Sequence, residues 1–218
     1  MSAASTPPST GRDASEHSSN HSSNHKEAMK KRQTEHRERQ RELRDPERGL
    51  VLVHTGAGKG KSSSAFGVII RALGWEQRVG VVQFIKGKWQ TGERKYFKKL
   101  EDTVDWYTMG DGFTWDTQSK EADTEAARLA FERGKAMLSS STYDLIVLDE
   151  INIALRYGYL TVEDVIAGLE QRAPKTGVIL TGRDAPGALC DYADMVSEIQ
   201  ERKHPYKAGI RAQRGIDY

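Results

Sequence analysis

From residue 49 onward, short runs of apolar and β-branched residues alternate with longer stretches whose apolar positions recur at helical spacing. Residues 49–54 (GLVLVH), 78–85 (RVGVVQFI), 143–148 (YDLIVL) and 177–180 (GVIL) read as strands, and 104–109 and 195–199 as two more. Between them, residues 61–75 predict a helix with Phe66, Ile69, Ile70 and Leu73 on one side. Residues 121–138 predict a longer one with Ala126, Leu129, Ala130, Gly134 and Met137 facing inward. Thr161 opens a further helix, with Asp164 three residues on in a pattern that resembles a capping box. Strands that are apolar on both faces and alternate with helices predict an α/β fold, a mostly parallel sheet with helices on both faces. No internal repeat interrupts the pattern.

The first 48 residues depart from it. Residues 1–25 are mostly Ser, Thr, Asn, His and Pro, with almost no large apolar side chain. Such a segment cannot bury enough surface to offset its ordering entropy, which predicts a disordered low-complexity tail. His17, His21 and His25 stand four apart, which on a helix would make a metal-binding face. Ser and Asn are poor helix formers, and a solvated tail is the plainer expectation. Residues 26–48 have a helix-forming composition of mixed charge with few apolar positions, Met29 and Leu43 among them. They predict a charged helix or arm, either solvated or docked on a partner subunit. The folded domain is then residues 49–218.

Composition narrows the function classes. The chain has 218 residues, enough for one α/β domain. Residues 1–48 hold 10 of its 33 basic and 8 of its 31 acidic residues, which leaves the remainder neutral with 23 of each. A neutral domain argues against a partner held by bulk charge, nucleic acid above all. The single cysteine, Cys190, excludes an internal disulfide and fits a reducing compartment, hence a cytoplasmic protein. No apolar run approaches the roughly 20 residues of a membrane span. The N-terminus has no apolar core of a secretory signal.

The strongest motif is Thr55-Gly56-Ala57-Gly58-Lys59-Gly60-Lys61-Ser62, placed between a predicted strand and a predicted helix. That context is what a phosphate loop requires. Glycines let successive N–H groups point into one concavity, and the helix adds the positive end of its dipole. Lys61 would place an ammonium on phosphate oxygens, and the Ser62 hydroxyl would coordinate a nucleotide-borne Mg²⁺. The common pattern G-x-x-x-x-G-K-[ST] has glycine where this chain has Thr55, so Gly56 and Gly58 must supply the turn differently. The second motif, Leu145-Ile-Val-Leu-Asp149-Glu150, ends an apolar strand in two carboxylates. Ligands of open α/β sheets bind at the carboxyl ends of strands, where these acids would face the loop. They read as Mg²⁺ partners, with Glu150 as a residue orienting water in a hydrolase, or as plain helix N-terminal acids.

Two loops add candidates. Gln83-Phe-Ile-Lys86-Gly87 ends the second strand, and Phe113 and Trp115 lie in a glycine-flanked loop (GDGFTW). These aromatics would cover a flat apolar ligand, stack a base, fill a subunit contact or simply pack. His54, on the first strand, reads as a buried and satisfied histidine. On these residues alone a RecA-like ATPase or small-molecule kinase remains open, because the phosphate loop and Asp149-Glu150 suffice for it. A nucleic-acid module using the aromatics and the basic arm would have to overcome the neutral domain.

The ordered set Thr55–Ser62, Ala65-Phe-Gly67, Val81–Gly87, Gly92-Glu-Arg94, Gly112-Phe-Thr-Trp115, Val147-Leu-Asp-Glu150, Thr181-Gly-Arg183 and Gly215-Ile-Asp-Tyr218 resembles the ATP:corrinoid adenosyltransferases of bacterial vitamin B12 biosynthesis. It runs from about Arg48 to Tyr218, and Thr55 belongs to that family's own pattern. The resemblance implies a P-loop NTPase (RecA-like) fold. It implies transfer of the 5′-deoxyadenosyl group of ATP to Co(I) of a corrinoid, either cob(I)yrinic acid a,c-diamide, cobinamide or cobalamin, with release of triphosphate. It implies nucleotide binding by Gly56, Ala57, Gly58, Lys59, Gly60, Lys61 and Ser62, and Mg²⁺ or Mn²⁺ at Ser62 and Glu150. Lys61 would act on the leaving group, and Phe113 and Trp115 on the lower corrin face. A homodimer, an N-terminal helix that covers an active site, and a flavoprotein reductant complete what it implies.

Overall fold

In the computed structural model the described residues are 14–84, 91–109 and 119–217, with side chains from residue 26 onward. The chain divides after Asp45 into two units. Among the described residues the first holds one helix, α1 (Ala14–Glu42), exposed at every position from residue 26. It begins upstream of the boundary at residue 25 that composition suggests, and it has no apolar stripe.

The second unit is built on a parallel sheet. Among the described residues its strands are β1 (Val51–Thr55), β2 (Val79–Gln83), β3 (Val104–Thr108), β4 (Leu145–Asp149), β5 (Gly177–Thr181) and β6 (Met195–Glu198). Their order is β3-β2-β4-β5-β1-β6, with every neighbouring pair parallel. β5 thus stands between the phosphate-loop strand and the strand that ends in Asp149, the RecA-like arrangement. Parallel strands need crossovers, and helices α2 (Lys61–Leu73), α3 (Gly92–Phe97), α4 (Lys120–Ser139), α5 (Ile151–Arg156), α6 (Val162–Glu170) and α7 (Gly187–Tyr192) supply them.

Strand alternation sends side chains to two cores. Val53, Val82, Ile146, Leu148, Val178 and Leu180 pack beneath α4, α5, α6 and α7. Val79, Val81, Val147 and Ile179 pack beneath α2 and α3, with Phe66, Phe97 and Trp106. Covered on both faces, β4 is buried at every position. Arg48 and Asp194 form a bidentate ion pair at 2.7 Å, and Asp194 also accepts the Val51 N–H at 2.8 Å, which fixes β1 beside β6.

Periodicity misplaces two helical faces. In α2 the buried apolar residues are Ala65, Phe66, Ile69 and Ala72, whereas Ile70 is 59% exposed. Two alanines at the contact line let the helix approach the sheet, and this turns Ile70 to the flank. In α4 the buried set is Ala127, Ala130, Phe131, Gly134, Met137 and Leu138, with Ala126 only partly covered and Leu129 half exposed. A Cβ at Gly134 would stand 3.3 Å from Leu148, so α4 lies close over β4. The helix opened by Thr161 is α6, and Thr161 Oγ1 accepts the Asp164 N–H at 3.1 Å. The six-residue helices α3, α5 and α7 are too short to show a helical period.

Candidate functional site

The turn after β1 divides its work among the glycines. Gly56 (φ 99°) and Gly60 (φ 120°) adopt the left-handed backbone the turn needs. Gly58 instead allows a close approach. Its N–H donates to the Ile199 carbonyl at 2.7 Å, and a Cβ there would lie 2.8 Å from the Gln200 backbone. Thr55 ends β1, and its Oγ1 accepts the Ala185 N–H at 3.1 Å, tying the base of the loop to the turn after β5. The residue that departs from the common pattern is therefore a brace, and the first glycine of the turn is Gly56.

Helix α2 starts directly at Lys61, with Gly60 as its N-cap and no side chain capping it. Its first-turn N–H groups and the positive end of its dipole face the loop, the arrangement that attracts anions. Lys61 is 6% exposed, and its ammonium donates to the Gly58 carbonyl at 2.6 Å. Burial lowers its pKa, and the nearby Glu150 carboxylate acts against that.

Asp149, at the end of β4, is buried and fully engaged. Its Oδ1 accepts from Thr181 Oγ1 at 2.8 Å and its Oδ2 from Gln83 Nε2 at 3.0 Å. Burial pushes the Asp149 pKa up, while the neighbouring Ser62, Thr181 and Gln83 pull it down. Glu150 caps α5 from a left-handed conformation (φ 61°) that is uncommon outside glycine. Its N–H donates to Thr181 Oγ1 at 2.9 Å. Thr181 thus joins both acids, donating to one and accepting from the other. Burial first, then the neighbouring Asp149, push the Glu150 pKa up to about 7, against the pull of Lys61 and Arg183. Next in the chain, Gly182 (φ 130°) leaves room for Asn152, whose amide donates to the Gly182 carbonyl at 3.1 Å.

These groups line one cavity of about 380 Å³, which holds Lys61, Ser62, Asp149 and Glu150 together with Glu93, Arg183 and Asp217. A more apolar cleft of about 510 Å³ between α2 and α3 adjoins it and shares Ser63, Phe66 and Glu93. Cations, helix N–H groups and a hydroxyl therefore face two carboxylates that are costly to ionise. Such a site is suited to a polyanion that arrives with a hard cation.

Of the residues singled out in the sequence, loop residues 58–62, Asp149 and Glu150 line this cavity, whereas Gly56 and Ala57 form the turn behind it and do not. Lys59 points to the C-terminal segment and pairs with Asp217. Phe113, Trp115 and the segment 85–87 lie outside the described residues. His54 is buried, its pKa lowered by that burial, and its Nδ1 shares a 2.8 Å hydrogen bond with Ser64 Oγ. The roles of Gln83 and Thr181 went unread in the sequence. Their signal is a polar residue at the carboxyl end of an otherwise apolar strand, and only the strand order shows that both reach Asp149.

Comparison with known proteins agrees with this geometry. The profile of the family described as "ATP:corrinoid adenosyltransferase BtuR/CobO/CobP" matches residues 47–218. The corrinoid adenosyltransferase of Pseudomonas aeruginosa is 46% identical over 172 residues, covering 79% of this chain and 85% of that one. The corrinoid adenosyltransferase of Escherichia coli K12 is 45% identical over 172 residues, with coverage of 79% and 87%. That of a Sinorhizobium species is 43% identical over 184 residues, with coverage of 84% and 86%.

Proposed function

The chain belongs to the ATP:corrinoid adenosyltransferase family, and on that premise we propose how its own residues carry out adenosyl transfer. The match over residues 47–218, which takes in the loop and both acids, is the observation that carries this reading. In the reaction, Co(I) of the reduced corrinoid donates an electron pair to the 5′ carbon of ATP. The cobalt–carbon bond forms, the C5′–O bond breaks, and its electron pair leaves with inorganic triphosphate. No side chain has to act as nucleophile, so the protein supplies orientation, charge stabilisation and exclusion of water.

The loop amides and Lys61 stabilise the charge that builds on triphosphate as it leaves. Lys61, which donates to the Gly58 carbonyl, exchanges that carbonyl for a phosphate oxygen. Mg²⁺ or Mn²⁺ fits the oxygen donors present. The Ser62 hydroxyl lines the cavity beside Asp149 and offers its lone pairs to a cation. Glu150 is an acid that a nearby cation would return to its charged form. A hard cation bound largely by phosphates needs only one or two protein ligands, and Ser62 and Glu150 are those residues. When bound, it neutralises triphosphate oxygens. By the family resemblance, Phe113 and Trp115 would cover the lower corrin face and keep off a lower ligand, which would make Co(II) easier to reduce. Among the described residues no helix is long and apolar enough to cross a membrane. A cytoplasmic homodimer served by a flavoprotein reductant completes the proposal, on the strength of the family resemblance.

The test is incubation with ATP, Mg²⁺ and a chemically reduced corrinoid, following the light-sensitive adenosylated product by absorbance. Product formation is expected. Its absence from protein that is folded and binds ATP overturns the reading.

A further inference from the structure

The C-terminal segment reaches the phosphate loop through a charged group, Asp217. Residues 205–216 are exposed at every position, and Asp217 is the first covered residue after His204. The segment closes on itself around Gln213: the Asp217 N–H donates to the Gln213 carbonyl at 2.8 Å, and Asp217 Oδ2 accepts the Gln213 N–H at 2.8 Å. Gly215 (φ 82°) makes this reversal possible. The turn leaves Oδ1 of Asp217 free to point outward, and it pairs with Nζ of Lys59 across 158 residues. This pairing holds the Asp217 pKa down. Asp217 also lines the cavity that contains Lys61, Ser62 and Glu150. A carboxylate carried on an exposed segment thus sits on a phosphate-loop cation where the site is built for a polyanion.

We infer that Asp217 is a positioning residue that competes with triphosphate for Lys59, and so sets how readily the polyanion enters and leaves. The inference rests on the phosphate-binding reading of the loop. An entering triphosphate carries several charges against the single one of Asp217, so it takes Lys59 and releases the tail. When triphosphate departs, the tail returns and opposes rebinding. The apparent affinity of the loop is reduced by the fraction of molecules in the latched state. An ion pair with one partner half exposed holds only a modest excess of that state, so the reduction is about two- to fivefold.

The test uses full-length protein with inorganic tripolyphosphate as probe, comparing wild type, Asp217→Asn and Asp217→Glu. Asp217→Asn is expected to bind tripolyphosphate about two- to fivefold more tightly by calorimetry, and Asp217→Glu to stay near wild type. In turnover, Asp217→Asn lowers KM for ATP and strengthens inhibition by triphosphate in the same proportion, with no gain in kcat. A second readout separates a latch from simple charge repulsion. Arg211 and Arg214 are exposed trypsin sites within the tail. Tripolyphosphate should speed cleavage there in the wild type and leave it unchanged in Asp217→Asn, whose tail is already free. Equal or weaker binding by Asp217→Asn, or cleavage of the wild type insensitive to tripolyphosphate, overturns the inference. If neither wild type nor variant binds tripolyphosphate, the phosphate-loop reading falls with it.

Discussion

Replacing Glu150 with Gln tests the electrostatics of the site apart from its chemistry. The folded protein carries this carboxyl from an ordinary value of 4.5 up to about 7, chiefly by burial and by the neighbouring Asp149. Linkage fixes the sign. Between these two values the folded state holds a proton that the unfolded chain has released, so stability falls as pH rises through that window. Above it the full penalty applies, about 3 kcal/mol at 1.36 kcal/mol per pH unit. Gln mimics the protonated acid, can adopt the same backbone and carries no penalty. The nucleotide-free variant should therefore be more stable than wild type by about 3 kcal/mol at pH 8 and by under about 1 kcal/mol at pH 5. For a domain of this size that is a Tm gain on the order of 10 °C at pH 8 and a few degrees at pH 5. Thermal unfolding at the two pH values, without metal or nucleotide, reads it directly. The same variant should need more Mg²⁺ for adenosyl transfer. A Tm difference that is absent, or equal at both pH values, refutes the reasoning.

Other substitutions address separate parts of the site. Lys61→Ala removes a positioned charge from the leaving group and should cost on the order of 10²-fold in kcat while ATP-free protein stays folded; activity within a few-fold of wild type would show that the loop does not hold the triphosphate. Thr181→Val leaves Asp149 Oδ1 and the Glu150 N–H without their shared partner, and should lower stability by about 1–3 kcal/mol in denaturant titrations. Alanine at Phe113 and Trp115 should spare Tm and weaken formation of four-coordinate Co(II), seen in the corrinoid absorption or paramagnetic spectrum. A Tm loss on the scale of roughly 3–5 kcal/mol per residue with an unchanged Co(II) spectrum would make them core residues instead.

The parallel sheet was legible because its strands are apolar on both faces, a pattern that survives without any knowledge of partners. The phosphate loop was legible because its chemistry is local: eight consecutive residues make the turn and start the helix. What the sequence hid is what the strand order creates. Thr181 reads as the end of an apolar run until β5 is placed beside β4, where its hydroxyl reaches both Asp149 and Glu150. Thr55 reads as a missing glycine until the turn after β5 supplies the N–H it accepts. Periodicity misplaces part of the inward faces of α2 and α4: large apolar residues stand in for Ala65 and Ala72 in α2, and in α4 the face is turned so that Ala127 and Phe131 are buried instead of Ala126 and Leu129. Close helix-to-sheet packing puts the alanines at the contact and leaves Ile70 and Leu129 outside.

The proposed attack on carbon, instead of phosphorus, is tested most directly by the phosphate product. With ATP, Mg²⁺ and pre-reduced corrinoid, one inorganic triphosphate is expected for each adenosylated corrinoid, and no product nucleotide when corrinoid is withheld. Formation of ADP and phosphate at a rate independent of corrinoid would contradict it and leave an ordinary ATPase.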